Sequence, residues 1–93
     1  MNWELLIINS GSTDSQVEIL LRDYENRDHR LKVFTSNKRW RVGKNRNFLI
    51  ERAKGDYVAL MDSDDISHPQ RFEIQLNYLL NHKNIHMVST FIR

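Results

Sequence analysis

The chain has no cysteine, so disulfides and thiolate metal sites are excluded, and the composition suits a reducing compartment such as the cytoplasm. It has no apolar run near the roughly 20 residues needed to span a bilayer. It also lacks the basic start and small-residue cleavage site of a signal peptide, since Met1-Asn2-Trp3-Glu4 leads straight into an apolar run. Neither sign of charge dominates: the net charge is +2, too slight by itself to imply a nucleic-acid partner. Repeats, low-complexity segments and linkers are missing as well. What remains is 93 residues, 40% hydrophobic and 28% charged, enough for one small soluble domain around one core.

The pattern of apolar residues orders that domain. Residues 3–9 are strand-like. Ser10, Gly11 and Ser12 form a turn, and Thr13 with Gln16 has the form of a capping box. Val17, Leu20, Leu21 and Tyr24 recur on one helical face, predicting a helix over 14–26. After a charged connection, residues 31–35 alternate as a second strand. The basic stretch 37–46 leads into a helix opened by Gly43, with Val42, the Arg46 stem, Leu49, Ile50 and Ala53 on its apolar face and Gly55 as its C-cap. Residues 57–61 read as a buried strand. A helix starts near Pro69, with Ser67 and Gln70 as a second capping box and Phe72, Leu76, Leu79 and Leu80 buried. A last strand is predicted over 85–92. The order β-α-β-α-β-α-β predicts an α/β domain with a mostly parallel open sheet and helices on its faces.

The stretch 57–65 is the centre of this arrangement, because the apolar strand ends in Asp62, Asp64 and Asp65. Carboxylates crowded at a strand end repel one another unless a cation sits among them. Hard oxygen ligands suit magnesium or manganese, and ligands of open α/β sheets bind beyond the carboxyl ends of the strands. A solvated acidic turn ahead of the next helix is the plain alternative.

Four segments together resemble family 2 glycosyltransferases of the GT-A fold. These are the Gly11-Ser12-Thr13-Asp14 turn, Asn45-Arg46-Asn47 with 53–57 after it, the Asp62-Ser63-Asp64 motif, and the helix 69–75. The resemblance implies a partial GT-A nucleotide-binding fold over 1–93 and a nucleotide-diphosphate sugar donor. It implies a divalent ion, Mn²⁺ or Mg²⁺, held at Asp62 and Asp64. Asp62 falls near the ribose and the metal, Arg46 faces the nucleotide, and Asn9 and Ser10 occupy the turn that contacts the base. The family usually has an aspartate in that turn, and an amide or hydroxyl is a weaker acceptor. Relatives begin with a further strand and helix, the strand lying between 3–9 and 57–61, and continue into an acceptor-binding half with the catalytic base. The chain therefore reads as a donor-binding fragment, inactive alone, with no catalytic residue assigned and the sugar and acceptor open. Strands 3–9 and 57–61 lack lysines and prolines to protect an edge, so a homo-oligomer is expected, with the first or last strand at the contact.

Two rival readings use the same residues. A strand ending in Asp-X-Asp also opens the haloacid-dehalogenase phosphatase pattern, with Asp62 as nucleophile, although there the motif sits on the first strand. The five cations of 38–46 around Trp40 suit nucleic-acid binding, against a plain solvated basic loop. No nucleic-acid partner is expected. The four histidines show no paired metal spacing and read as surface or helix-end residues, with His68 beside the acidic site. Trp3 and Trp40 read as packing residues.

Overall fold

The hydrophobic pattern places two strands side by side, each backed by a helix. The computed structural model describes residues 2–11, 14–63 and 66–89. In chain order these form β1 (Leu5–Ser10), α1 (Ser15–Arg27), β2 (Leu31–Ser36), α2 (Val42–Arg52) and α3 (Arg71–Asn81). The fold is α/β. β1 and β2 are parallel, paired from Leu5 with Leu31 to Ser10 with Ser36. They divide their side chains between two faces by strand alternation. Glu18 of α1 meets Asn9 and Thr35, so α1 covers the face that carries Ile7, Asn9, Val33 and Thr35. Phe48 of α2 meets Phe34 on the opposite face. Val33, 5% exposed, is the buried hydrophobic residue at the centre.

Polar side chains fix α1 more than apolar ones: of its predicted apolar face Val17, Leu20 and Tyr24 are exposed, and the half-buried residues are Glu18, Leu21, Arg22 and Glu25. Asp14 is its N-cap, accepting from the Gln16 N–H at 2.9 Å. The predicted cap, Thr13, lies outside the described residues. An aspartate caps well and adds a negative charge at the positive end of the helix dipole. At the other end, Asp28 takes the Arg30 N–H and guanidinium at 2.8–3.0 Å, turning the charged connection into a tight link to β2. That pairing holds the Asp28 carboxyl at about 2.

The backbone ladder between the strands uses the carbonyls of Arg30 and Ser36, bonded by the N–H groups of Leu5 and Gly11. Alternation then turns the N–H and C=O of Val33 away from β1. Both are taken by α1: Glu25 accepts the Val33 N–H at 2.5 Å and Arg22 donates to the Val33 carbonyl at 2.9 Å. Helix side chains thus cap the outer edge of β2.

α2 keeps Arg46, Leu49 and Ala53 of its expected face half-buried and departs from expectation at the other two positions. Its inward residues are Asn45, Arg46, Phe48 and Leu49, while Val42 and Ile50 are exposed. Phe48 sits with its ring centroid 5.3 Å from both Phe34 and Trp40, and two aromatic partners outweigh two aliphatic residues of the predicted face. Gly55 is not the C-cap. Ala53 caps in an extended conformation, and Arg52 donates to the Phe48 carbonyl at 3.0 Å, so no left-handed glycine is required. The Lys54 N–H then reaches Glu4 at 2.9 Å.

Two predicted strands have no ladder among the described residues. The run 57–61 is irregular, with Val58 53% exposed, and so is 85–89; residues 90–92 lie outside the described set. An apolar run reports a capacity for burial, but a strand exists only with a hydrogen-bonded neighbour. The chain divides into two compact units, Met1–Val58 and Ala59–Arg93, with the boundary inside this run. In the second unit α3 begins two residues after Pro69, behind a turn in which His68 Nδ1 accepts the Gln70 N–H at 3.1 Å. Gln70, the N-cap, makes no side-chain cap bond, so the Ser67–Gln70 box does not form. The half-buried face of α3 is Arg71, Gln75, Leu76 and Leu79, with Phe72 and Leu80 exposed.

Candidate functional site

The first unit presents its loops at the carboxyl ends of β1 and β2, where a parallel pair offers backbone groups to a ligand. Gly11 turns there with a φ of +67°, and a Cβ on it would lie 2.6 Å from the Arg39 backbone. Only glycine tolerates both the left-handed turn and this approach. The loops after the two strands are joined on either side of that contact. The Gly11 N–H donates to the Ser36 carbonyl at 3.0 Å, and the Trp40 N–H to Ser10 Oγ at 3.4 Å. Lys38, Arg39 and Arg41, all exposed, follow from this stitching and gather positive charge beside the Ser10–Gly11 turn.

Asn9 and Ser10, the predicted base-contacting pair, are the last two residues of β1 and stand together at this rim. Asn9 is half-buried, and its Nδ2 donates to Glu18 at 2.8 Å. Glu18 also accepts from Thr35 Oγ1 at 2.8 Å and Arg22 Nε at 3.0 Å. The Asn9 and Thr35 bonds lead in holding its carboxyl below the usual range. Arg22 continues the network to Glu25, and those two pairings raise its own pKa further. The bond from the Val33 N–H, then Arg22, lowers the Glu25 carboxyl. Sequence reading singled out none of these three residues. The signal was their spacing, since Glu18, Arg22 and Glu25 fall at i, i+4 and i, i+3 pairs on one helical face.

Arg46 lies in the second turn of α2, half-buried, on the helix that packs against β1. Next to it, Asn45 Oδ1 is buried without a hydrogen-bond partner among the described residues. Trp40 carries Lys44 over its ring at 4.5 Å and Phe48 at 5.3 Å. Its ring therefore packs within the fold, as expected of a packing residue and unlike an open platform for a base. Trp3, by contrast, is exposed and carries Arg30 over its ring at 3.8 Å.

Asp62 belongs to the second unit, exposed in coil; Asp64 and Asp65 lie outside the described residues. Asp62 offers a hard oxygen donor of the kind magnesium and manganese take, so the donor chemistry fits the implied ion. Among the described residues no three histidine or acidic side chains gather as a ligand set. The segment before Asp62 is anchored by Arg71, which donates to the Leu60 carbonyl at 3.0 Å, to Ser67 at 3.4 Å and to Gln75 at 3.2 Å. His82, at the end of α3, bonds the Tyr78 carbonyl at 2.8 Å and stacks on its ring, as a helix-end histidine should.

The described fold is an α/β unit built on a parallel strand pair, and comparison with known proteins identifies its family. The chain matches the model of Glycosyl transferase family 2 over residues 1–93, and it belongs to that family. It is 37% identical over 89 residues to an uncharacterized glycosyltransferase of Haemophilus influenzae, covering 96% of this chain and 34% of the relative. The O-antigen biosynthesis glycosyltransferase WbnJ of Escherichia coli is 34% identical over 95 residues, covering 99% and 35%. The bifunctional glycosyltransferase pgtA of Dictyostelium discoideum is 34% identical over 94 residues, covering 98% and 12%. The chain thus spans about a third of the length of the two bacterial relatives. No solved structure matches it. The family assignment displaces the phosphatase reading of Asp62. No helix among the described residues is long and apolar enough to cross a membrane.

Proposed function

We propose that this chain is the donor-binding part of a cytoplasmic glycosyltransferase that takes a nucleotide-diphosphate sugar. The observation that carries the reading is the stitched rim at the ends of β1 and β2. There Gly11 lies against the Arg39 backbone, and exposed cations stand beside Asn9 and Ser10. In this reading Asn9 and Ser10 meet the base and Arg46 faces the nucleotide. The bond from the Trp40 N–H holds the Ser10 hydroxyl in place. Asp62 and Asp64 are the residues that would hold Mn²⁺ or Mg²⁺, which when bound offsets the charge of the departing diphosphate. Transfer breaks the bond from the sugar's anomeric carbon to the diphosphate and forms one to an acceptor hydroxyl. The hydroxyl proton leaves to a general base, a role to which no residue of this chain is assigned.

Calorimetry with uridine diphosphate and manganese tests the reading. Asp64→Ala is expected to abolish the manganese-dependent part of binding and Asp65→Ala to weaken it less, because the resemblance puts the ion on the first and third positions of Asp62-Ser63-Asp64 and leaves Asp65 outside the motif. Equal losses at 64 and 65 would overturn the assignment of the ion.

A further inference from the structure

We propose that Glu18 is a positioning residue for base recognition, fixing the Asn9 carboxamide so that its oxygen, not its nitrogen, faces the base. The inference rests on the donor-binding reading above. Asn9 ends β1 beside Thr35, and Glu18 reaches both from the first turn of α1. An ionised carboxylate has no hydrogen to give, so only the amide nitrogen can face it. The Asn9 amide is planar, and its oxygen then points away from Glu18. Its alternative orientation would set two oxygen acceptors against each other.

Glu18 cannot easily yield. Its Oε1 takes Thr35 and Arg22, while Oε2 takes Asn9. Arg22 is itself held by Glu25, the Val33 carbonyl and Thr35 Oγ1. Two strands and the helix's own next turn therefore define one position for the carboxylate. Its lowered pKa, set first by Asn9 and then by Thr35, keeps it in the acceptor-only form.

A fixed oxygen acceptor has a chemical consequence. Uracil and guanine carry a ring N–H on the edge that pairs in duplexes, whereas cytosine and adenine carry a bare ring nitrogen there. An acceptor set against that ring position, and not against the exocyclic amino group that cytosine and adenine carry beside it, favours the imide bases, and a freely flipping asparagine does not choose. Glu18 thus confers a preference for uridine or guanosine diphosphate that Asn9 alone lacks.

Calorimetry of the purified chain with manganese, comparing uridine diphosphate, cytidine diphosphate and inorganic pyrophosphate, tests this. The unaltered chain is expected to bind uridine diphosphate about tenfold more tightly than cytidine diphosphate, a difference of about 1.4 kcal/mol. Asn9→Ala and Glu18→Gln should each bring that ratio towards one while leaving pyrophosphate binding unchanged, which also reports an intact fold. Asn9→Asp added to Glu18→Gln should restore the preference, since a carboxylate accepts in any orientation. Asn9→Asp alone should not, because two carboxylates would abut. Absence of nucleotide binding overturns the donor reading and the inference together. If Asn9→Ala collapses the ratio and Glu18→Gln does not, the positioning role alone is overturned. Should Glu18→Gln fail to fold, nitrogen-15 spectra of the unaltered chain decide. One Asn9 side-chain proton shifted downfield and following the Glu18 titration supports the role, and an unshifted pair sinks it.

Discussion

At the scale of single residues, charge pairs across short turns do what a larger core would do elsewhere. Asp28 illustrates this: Arg30 bonds both its oxygens and the connection to β2 closes around them. Its carboxyl titrates at about 2 in the folded chain, against about 3.9 in an unfolded one. A depressed carboxyl stabilises above the unfolded value and loses that contribution as pH falls through the folded one. Thermal midpoints are therefore expected to fall between pH 4 and pH 2. Asp28→Asn should flatten that segment of the profile, and an unchanged slope would mean that the pair is not formed in solution. None of this was legible in residues 25–30, because charge composition names a solvated connection without saying which ions meet. The Asp62–Asp64 motif drew a reading from the sequence because three acids at the end of an apolar run demand an explanation on their own.

At the scale of elements, β1, α1, β2 and α2 could be read to within a residue or two, since each shows its own period and local turn signals. The inward faces of α1 and α2 were legible only in part. Periodicity counts apolar positions without weighing their size, and it missed Phe48, whose partners Phe34 and Trp40 come from other segments. Phe48→Ala is expected to lower the urea-unfolding free energy by about 2 kcal/mol, below the 3–5 kcal/mol of a fully buried phenylalanine. Ile50→Ala, on the exposed side, should cost under about 1 kcal/mol. A larger loss at Ile50 would return the helix to the orientation first expected. The strands expected at 57–61 and over the described residues 85–89 do not form for a different reason: their sequence specifies a preference for burial and leaves the hydrogen-bonding partner open.

At the scale of the whole molecule, the same capacity for burial predicts association. Leu60, Met61 and Met87 are exposed, and α1 caps the outer edge of β2 while β1 has one ladder among the described residues. Light scattering at micromolar concentration is expected to show a dimer or larger species that pairs through β1. Arg22→Ala with Glu25→Ala uncaps Val33 and should raise the mass further. A monomer in both cases would show that the strand edges are satisfied within the chain.

The cap on Val33 also gives the sheet a sense of time. A β-α-β unit whose far strand is closed by its own crossover helix can complete itself from contacts near in sequence, before any distant segment arrives. A further strand that pairs with this unit is therefore expected to add beside β1, because the side chains of α1 already occupy the outer edge of β2.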